Sequence, residues 1–291
     1  MRNAGVSKSF DTYRVPRCVA GGSRVFQLTC AFSLQLLLAS GALAGEAGGL
    51  TGREIAQQLN ARDDGETLSQ SVAMELIDRR GKVRQRRIRS FRKYYGEDKR
   101  MVIFFEAPKN IKGTAFLTYD YAGTSREDDQ WLYLPALHKV RRISASDRGD
   151  YFLGTDFTFE DVKKAGKVEI DDYTFDRAGE EVVDGRRCHV VDAVPVSEKV
   201  AGELGYGRVR LWVDAQIWMA RKTEMWDVRG HSLKTVVTKE IREVQGIWTA
   251  HRVEATHHKT GHRSLFTVTE VDYQNPISDD VFTELALRRG P

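Results

Sequence analysis

From residue 67 onward, apolar and polar positions alternate in short runs that turn residues separate. A period of two is typical of β-strands with one face in a core. The run that ends at Ile77 is followed by a turn in which Gly81 can adopt a positive φ, which indicates a hairpin. Five further runs, joined by short turns, predict an antiparallel meander: 207–213, 217–228, 232–244, 247–257 and 264–273.

Residues 101–105, Met-Val-Ile-Phe-Phe, depart from this alternation because they are apolar at every position. A strand of that kind is expected to be covered on both faces. Residues 50–61 have helical spacing, and Thr51 and Glu54 form a capping-box pattern. Residues 278–285 predict a short carboxy-terminal helix. The fold class is therefore mainly β (α+β), with one curved antiparallel sheet of roughly ten or eleven strands and two or three helices on one face.

The amino terminus has the layout of a secretory signal peptide. Five basic residues and one acid lie in residues 1–24, an apolar run follows from Val25, and Ala42-Leu43-Ala44 offers small residues for cleavage. We expect cleavage after Ala44, a periplasmic protein, and a single domain over residues 45–291. The alternative is an uncleaved amino-terminal anchor, which the short apolar run disfavours.

Removal of this leader changes the charge. The chain has 45 basic and 41 acidic residues, of which the leader holds 5 and 1, so 40 of each remain. Nucleic-acid binding thereby loses its electrostatic support. Cys188 is the one cysteine after the leader, which excludes an intrachain disulfide, and its apolar setting predicts an inert buried thiol.

No pattern for catalysis, metal binding or a cofactor stands out. His251, His257, His258 and His262 lack an acid or cysteine at a fitting spacing, so we expect hairpin-end histidines in solvent and no metal. Ser144, Ser146, His138 and Asp147 include the residue types of a hydrolytic triad, but nothing in the sequence assembles them. The arginines of residues 84–92 are expected on an exposed strand face; the alternative is a basic rim for lipid phosphate or an acidic partner.

Aromatic and methionine side chains are numerous for a single sheet. They suit either a large ordinary core or a pocket for an apolar ligand, and the residues alone leave both open. The candidates for the lining of such a hydrophobic cavity are Met101, Ile103, Phe104, Phe105, Phe116, Trp131, Tyr133, Phe152, Phe157, Trp212, Met219, Met225 and Trp226.

Two segments carry a family resemblance. WLYLPALHKVRRIS followed by DYFLGTDFTFEDV, and residues 112–121 before them, resemble the outer-membrane lipoprotein-sorting proteins, relatives of the periplasmic lipoprotein carrier LolA. The resemblance implies an unclosed antiparallel β-barrel whose concave, hydrophobic face is covered by helices and holds acyl chains. It favours the pocket over the solid core.

The resemblance implies a carrier, not an enzyme, that binds acyl chains of a lipid or lipoprotein and ferries them towards the outer membrane. A transporter of the resistance-nodulation-division type in the inner membrane and an outer-membrane acceptor are the partners it suggests, and we expect a monomer. The alternatives are an envelope-stress sensor of the same fold and, less favoured, a periplasmic hydrolase.

Overall fold

The computed structural model of the chain describes residues 49–123 and 126–291. The strands are β1 (Thr67–Ile77), β2 (Val83–Tyr95), β3 (Asp98–Ala107), β4 (Ala115–Asp120), β5 (Asp129–Leu134), β6 (Lys139–Ile143), β7 (Tyr173–Val183), β8 (Arg186–Pro195), β9 (Arg208–Asp214), β10 (Ala220–Trp226), β11 (Ser232–Val244), β12 (Ile247–His257) and β13 (Arg263–Asp272). The helices are α1 (Gly52–Ala61), α2 (Phe159–Lys164), α3 (Glu198–Leu204) and α4 (Glu284–Arg289).

All thirteen strands form one antiparallel sheet that is not closed into a barrel. The spatial order is β6-β5-β4-β3-β2-β1-β13-β12-β11-β10-β9-β8-β7, so β1 and β13 pair at the centre. The two edges, β6 and β7, are consecutive in the chain. Residues 144–172, which join them, therefore have to cross from one edge of the sheet to the other; we call them the cover segment.

The two faces of the sheet pack against different parts of the chain. Ile103 and Phe105 lie in a cluster with residues of β1 to β6 and of the cover segment, and we call this side the inner face. Val102 and Phe104 point to the opposite, outer face and pack against the carboxy-terminal residues. The expectation that this strand is covered on both sides is thus confirmed, because side chains alternate between faces and both faces are buried.

Helix α1 covers the inner face at the β7 edge. The predicted capping box is present: the Thr51 side chain accepts from the Glu54 amide at 3.2 Å, and Glu54 accepts from the Thr51 amide at 2.8 Å. Ile55 and Leu59 are fully buried in a cluster with strands β8 to β10. Gly52 is required at the contact, since a Cβ there would lie 2.7 Å from the Asp176 carbonyl carbon.

The outer face is covered at the β3 to β5 side. A 3-10 turn at Asp279–Phe282 leads into α4, and Phe282 and Leu287 pack on Phe104 and Leu117. The predicted carboxy-terminal helix is therefore a turn followed by a helix, and the helix begins six residues later than predicted. In the described part of the chain, none of the helices has the length and hydrophobicity needed to span a bilayer.

The fold class predicted from the sequence is confirmed, with differences in detail. The sheet has thirteen strands instead of ten or eleven, in part because the basic segment Lys139–Ile143 pairs with β5 as an edge strand. Four short helices replace the two or three expected. The predicted leader and its cleavage site lie outside the described residues. Cys188 is fully buried, as expected.

Candidate functional site

The candidate site is the apolar cluster between the inner face and the cover segment. Phe152 of the cover segment is 1% exposed, and its ring centroid lies 6.0 Å from that of Phe105 and 5.3 Å from that of Phe116. Phe159, at the start of α2, is 5.4 Å from Phe152 and 5.5 Å from Phe116. Two side chains of the cover segment thus occupy the inner face of the sheet.

The cover segment reaches this position through a tight local structure. Leu153 adopts a left-handed conformation inside the 3-10 turn at 152–154, and the amide of Phe152 donates to the carbonyl of Phe157 at 2.7 Å. Thr158 then caps α2, with the Asp161 carboxylate accepting from the Thr158 amide at 2.8 Å. This turn and cap direct Phe152 and Phe159 to the same side.

Arg86 is the first polar contact that holds the cover segment to the sheet. Its guanidinium donates to the carbonyl of Leu153 at 2.7 Å and lies 5.9 Å above the Phe105 ring. Burial, and secondarily the neighbouring Arg84, lowers the pKa of Arg86. The sequence placed this arginine among the exposed ones, but it is half-buried because a residue of β2 at this register faces inward.

Lys234 of β11 is the second contact and is completely buried. Its ammonium donates to the backbone carbonyl of Asp156 at 2.7 Å and to the Asp161 carboxylate at 2.6 Å. The Tyr206 hydroxyl donates to the same carboxylate at 2.8 Å. Burial, reinforced by the charge of Asp161, raises the pKa of Tyr206 well above its ordinary value. A buried charge of this kind is retained only with such partners.

Asp156 is the third contact. Its carboxylate lies 2.7 Å from Nδ1 of His262 and accepts from the Ser264 hydroxyl at 2.7 Å, while the Asp156 amide donates to the same hydroxyl at 2.9 Å. His257 is close by, and burial lowers its pKa although Asp156 opposes the shift. His251 and His257 are both buried, so the expectation of hairpin-end histidines in solvent is wrong for these two, since both face inward on β12.

Ion pairs fix the other end of the cover segment. Lys164 of α2 donates to Asp120 at 2.9 Å and to Glu169 at 2.6 Å, and Lys99 lies 2.8 Å from the same Asp120. Burial alone would raise the pKa of Asp120, but the charges of Lys99 and Lys164 outweigh it and hold the pKa far below the ordinary value. Lys163, also buried, pairs with Asp128 and Glu160.

The predicted cavity residues divide between the two faces. The structure brings together on the inner face Met101, Ile103, Phe105, Phe116, Phe152 and Phe157, with Met225 in the neighbouring cluster under α1. Phe104, Trp131 and Tyr133 lie on the outer face under the carboxy-terminal helix. Trp212 packs with Cys188 and Val190 on the outer face, and its Nε1 donates to Glu181 at 2.8 Å. Trp226 stacks on Arg208 at 3.7 Å, and Met219 is buried beside the turn after β9.

Neither of two pockets in the described residues opens onto the aromatic contacts of Phe152 and Phe159. A pocket of about 170 Å³ lies between Asp128 and Ala145, and one of about 310 Å³ lies beside Trp226 and Arg208. The inner face is filled by side chains of the protein itself. The residues alone suited either a filled core or a pocket. In this structure the inner face is a filled core.

The residue types of a hydrolytic triad are not brought together. Ser144 and Ser146 hydrogen-bond each other at 2.7 Å and Ser146 contacts Asp147, with no histidine among these contacts. The described residues also hold no group of three or more metal-ligating side chains.

Sequence reasoning missed the polar partners of the cover segment, above all Lys234, Asp156 and Asp161. One signal was available. Lys234 lies within a strand-like run and Asp156 interrupts an aromatic run, and a charge at either position is costly to bury without partners.

Comparisons place the chain among known folds. A family model described as "Uncharacterized protein" matches residues 97–289. No curated protein matches the chain by sequence. A domain described as an outer membrane lipoprotein-sorting protein from Vibrio parahaemolyticus has a TM-score of 0.74 at 29% identity, over 82% of this chain and 98% of that one.

Two other solved structures are similar. A DUF1329 family protein from Desulfovibrio piger has a TM-score of 0.74 at 27% identity, over 81% of this chain and 97% of that one. A LolA superfamily protein from Nitrosomonas europaea has a TM-score of 0.61 at 19% identity, over 81% and 99%. The chain shares the fold of the LolA superfamily protein, and its resemblance to an outer-membrane lipoprotein-sorting domain is confirmed. It belongs to the family of the matched model.

Proposed function

We propose that the protein is a non-enzymatic carrier that binds acyl chains of a lipid or lipoprotein between the inner face and the cover segment. The observation that carries the proposal is the position of Phe152, a cover-segment side chain that fills the apolar inner face of a fold shared with a lipoprotein-sorting domain. In this arrangement the protein is closed, and the aromatic rings occupy the place of a ligand.

Binding then requires exchange of the cover segment for the ligand. Each methylene that an acyl chain buries contributes about 0.8 kcal/mol, so a chain of ordinary length can replace the contacts of Phe152 and Phe159. The contacts of Arg86, Lys234 and Asp156 with the cover segment are polar and specific. These contacts limit how much of the segment moves. A polar group that loses its partner while buried costs free energy, whereas one that becomes exposed can bond to water.

The carrier proposal extends to the location, oligomeric state and partners of the protein. We propose that it works in the periplasm as a monomer after removal of residues 1–44. Its donor would be an inner-membrane transporter of the resistance-nodulation-division type and its acceptor an outer-membrane component. Capture from envelope extracts through a tagged carrier, followed by identification of the bound proteins, tests these partners.

Extraction of the protein purified from the envelope under mild conditions, followed by mass spectrometry of the extract, tests the carrier proposal directly. We expect the extract to contain a lipid or an acylated peptide in a fixed ratio to the protein. The same molecule should displace a fluorescent acyl probe from the protein in solution. Protein that is free of lipid and does not bind acyl probes of any length from eight to eighteen carbons would contradict the proposal.

A further inference from the structure

The hairpin turns at the two ends of the sheet differ in charge. Strand register places the turns at 78–82 and 258–262 at one end, since Ile77 pairs with Arg263 and a Cβ on Gly261 would lie 3.4 Å from Arg79. The same pairing pattern, followed from strand to strand, adds three turns to this end: 108–114, 135–138 and 227–231. We call these five turns the basic end. The connections at 170–172 and 196–207 lie at the same end of strands β7 to β9 and carry two exposed acids, Asp171 and Glu198, with the exposed Lys199.

The basic end carries exposed cations without ion pairs. Its turns present Arg79, Arg80, Lys82, Lys109, Lys112, Arg229 and Lys259, all of them exposed. In the described part of the chain, none of these side chains lies within 4 Å of a carboxylate oxygen. The two acids of these turns, Asp78 and Asp227, each accept backbone amides of their own turn and are fixed there.

The opposite end is acidic. Its turns and connections present Asp63, Glu66, Glu97, Glu127, Asp184, Asp279 and Asp280, all exposed. In the described residues, exposed cations at this end include Arg126 and, at the start of β8, Arg186 and Arg187. The five turns of the basic end and the turns at the opposite end thus differ in the sign of most of their exposed charges. An anionic surface is therefore attracted to the basic end and repelled by the acidic turns at the opposite end.

Exposed apolar side chains are present at the basic end as well. Val83 is 46% exposed, Leu137 61%, Tyr151 42% and Val228 57%. They lie at the start of β2, on two separate turns and at the cover segment, and not in one continuous segment of the kind that a folded protein partner buries. Cations interspersed with single apolar tips suit the interface of a bilayer, where the tips enter the headgroup region and the cations meet phosphate.

We propose that the basic end is a docking surface for a bilayer that contains anionic lipid. The docking extends the carrier proposal, since it turns the Tyr151 side of the cover segment, with the Arg86 to Leu153 contact beside it, towards the membrane. Cargo would then enter or leave directly between the bilayer and the inner face. The charge pattern that supports docking does not depend on the carrier proposal.

Sedimentation with vesicles tests the docking. Full-length mature protein is mixed with vesicles of phosphatidylglycerol and phosphatidylcholine at one to three, or of phosphatidylcholine alone. We expect binding to the anionic vesicles at low salt and its loss at 0.5 M salt, because salt screens exposed charges. The variant R79Q/R80Q/K82Q should bind at least tenfold more weakly, since it removes three exposed charges that form no ion pair.

The matched control is E66Q/E97Q/E127Q, which alters three exposed charges at the other end and should bind anionic vesicles at least as well as the wild type. Equal binding of wild type to both vesicle types, no binding to either, or equal loss in the two variants would overturn the proposal. An acidic protein that competes for this end while vesicles do not bind would overturn it too.

Binding of a fluorescent acyl probe in the absence of vesicles separates this proposal from the carrier proposal. The R79Q/R80Q/K82Q variant should bind the probe as the wild type does, because its three positions lie outside the apolar cluster. If the variant no longer binds vesicles but still binds the probe, the three substitutions have removed membrane docking and left acyl binding intact. If the wild-type protein binds vesicles but never binds the probe, the docking proposal stands and the carrier proposal is wrong.

Discussion

Phe152→Ala gives the sharpest test of whether the cover segment stands in for a ligand. The ring is 1% exposed and packs within 6.0 Å of Phe105 and 5.3 Å of Phe116, centroid to centroid. Truncation of a buried phenylalanine costs about 3–5 kcal/mol of unfolding free energy, because apolar contacts are lost and a cavity remains. In urea denaturation the variant should unfold at a correspondingly lower midpoint.

The same truncation should improve acyl binding. The space of the lost ring can hold about three methylenes, and at ~0.8 kcal/mol each they would contribute roughly 2.4 kcal/mol, close to a fifty-fold gain in affinity. A fluorescent acyl probe titrated into each protein measures this gain. A saturating acyl ligand should also return a part of the lost stability, since a ligand that binds only the folded state stabilises it.

Phe104→Ala is the matched control. Phe104 is buried on the same sheet but faces the carboxy-terminal helix, away from the cover segment. We expect a similar loss of stability with no gain in acyl affinity and no recovery with ligand. If Phe152→Ala loses stability but its acyl affinity does not rise, or if both variants gain affinity equally, the cover segment does not occupy the ligand site.

Three further predictions concern the contacts of the cover segment. Arg86→Leu should speed hydrogen exchange in residues 151–158 by about tenfold while the central strands remain protected, since the donor to Leu153 is lost. Lys234→Met should destabilise the protein by about 3–5 kcal/mol, and a double-mutant cycle with Asp161→Asn should show that the two losses are not additive. The pKa of Asp120 is lowered in the folded state, so its carboxylate stabilises the fold above pH ~4 and that contribution is lost as the pH falls further. Thermal melts from pH 7 to pH 3 should therefore show a shallower decline for Asp120→Asn than for the wild type.

The sheet could be predicted from the sequence because its signals are local. Alternation along a strand, turn residues between strands and the apolar run at residues 101–105 all act over a few positions. The five-strand meander and the strand covered on both faces were found as expected. Strand β6 was missed because its exposed edge position lets polar residues such as Arg141 replace apolar ones. A basic segment at a sheet edge therefore hides a strand from pattern analysis.

The candidate site was harder to predict because period two does not say which face is inward. Phe104 and Phe105 are equivalent by residue type, and their different surroundings depend on which segment covers each face. Trp212 was a candidate as one of the many aromatic residues, but its indole donates to Glu181 on the outer face. Polar contacts of the cover segment join residues that are far apart in the chain, such as Lys234 with Asp161, 73 positions away, and Ser264 with Asp156, 108 positions away. No local pattern announces a pairing at that separation.

The chemistry of those distant pairs nevertheless limits how the site can work. If the cover segment served only to complete a solid core, apolar side chains would fill the positions of Lys234 and Asp156 at lower cost, because a buried ion pair rarely stabilises a fold more than packed apolar groups do. Charged contacts instead specify one position of the cover segment on the sheet, and when they break, water can solvate the charged side chains. A segment that holds two phenylalanines on an apolar face through such contacts is suited to return to the same place after each displacement, which is what a reusable carrier requires.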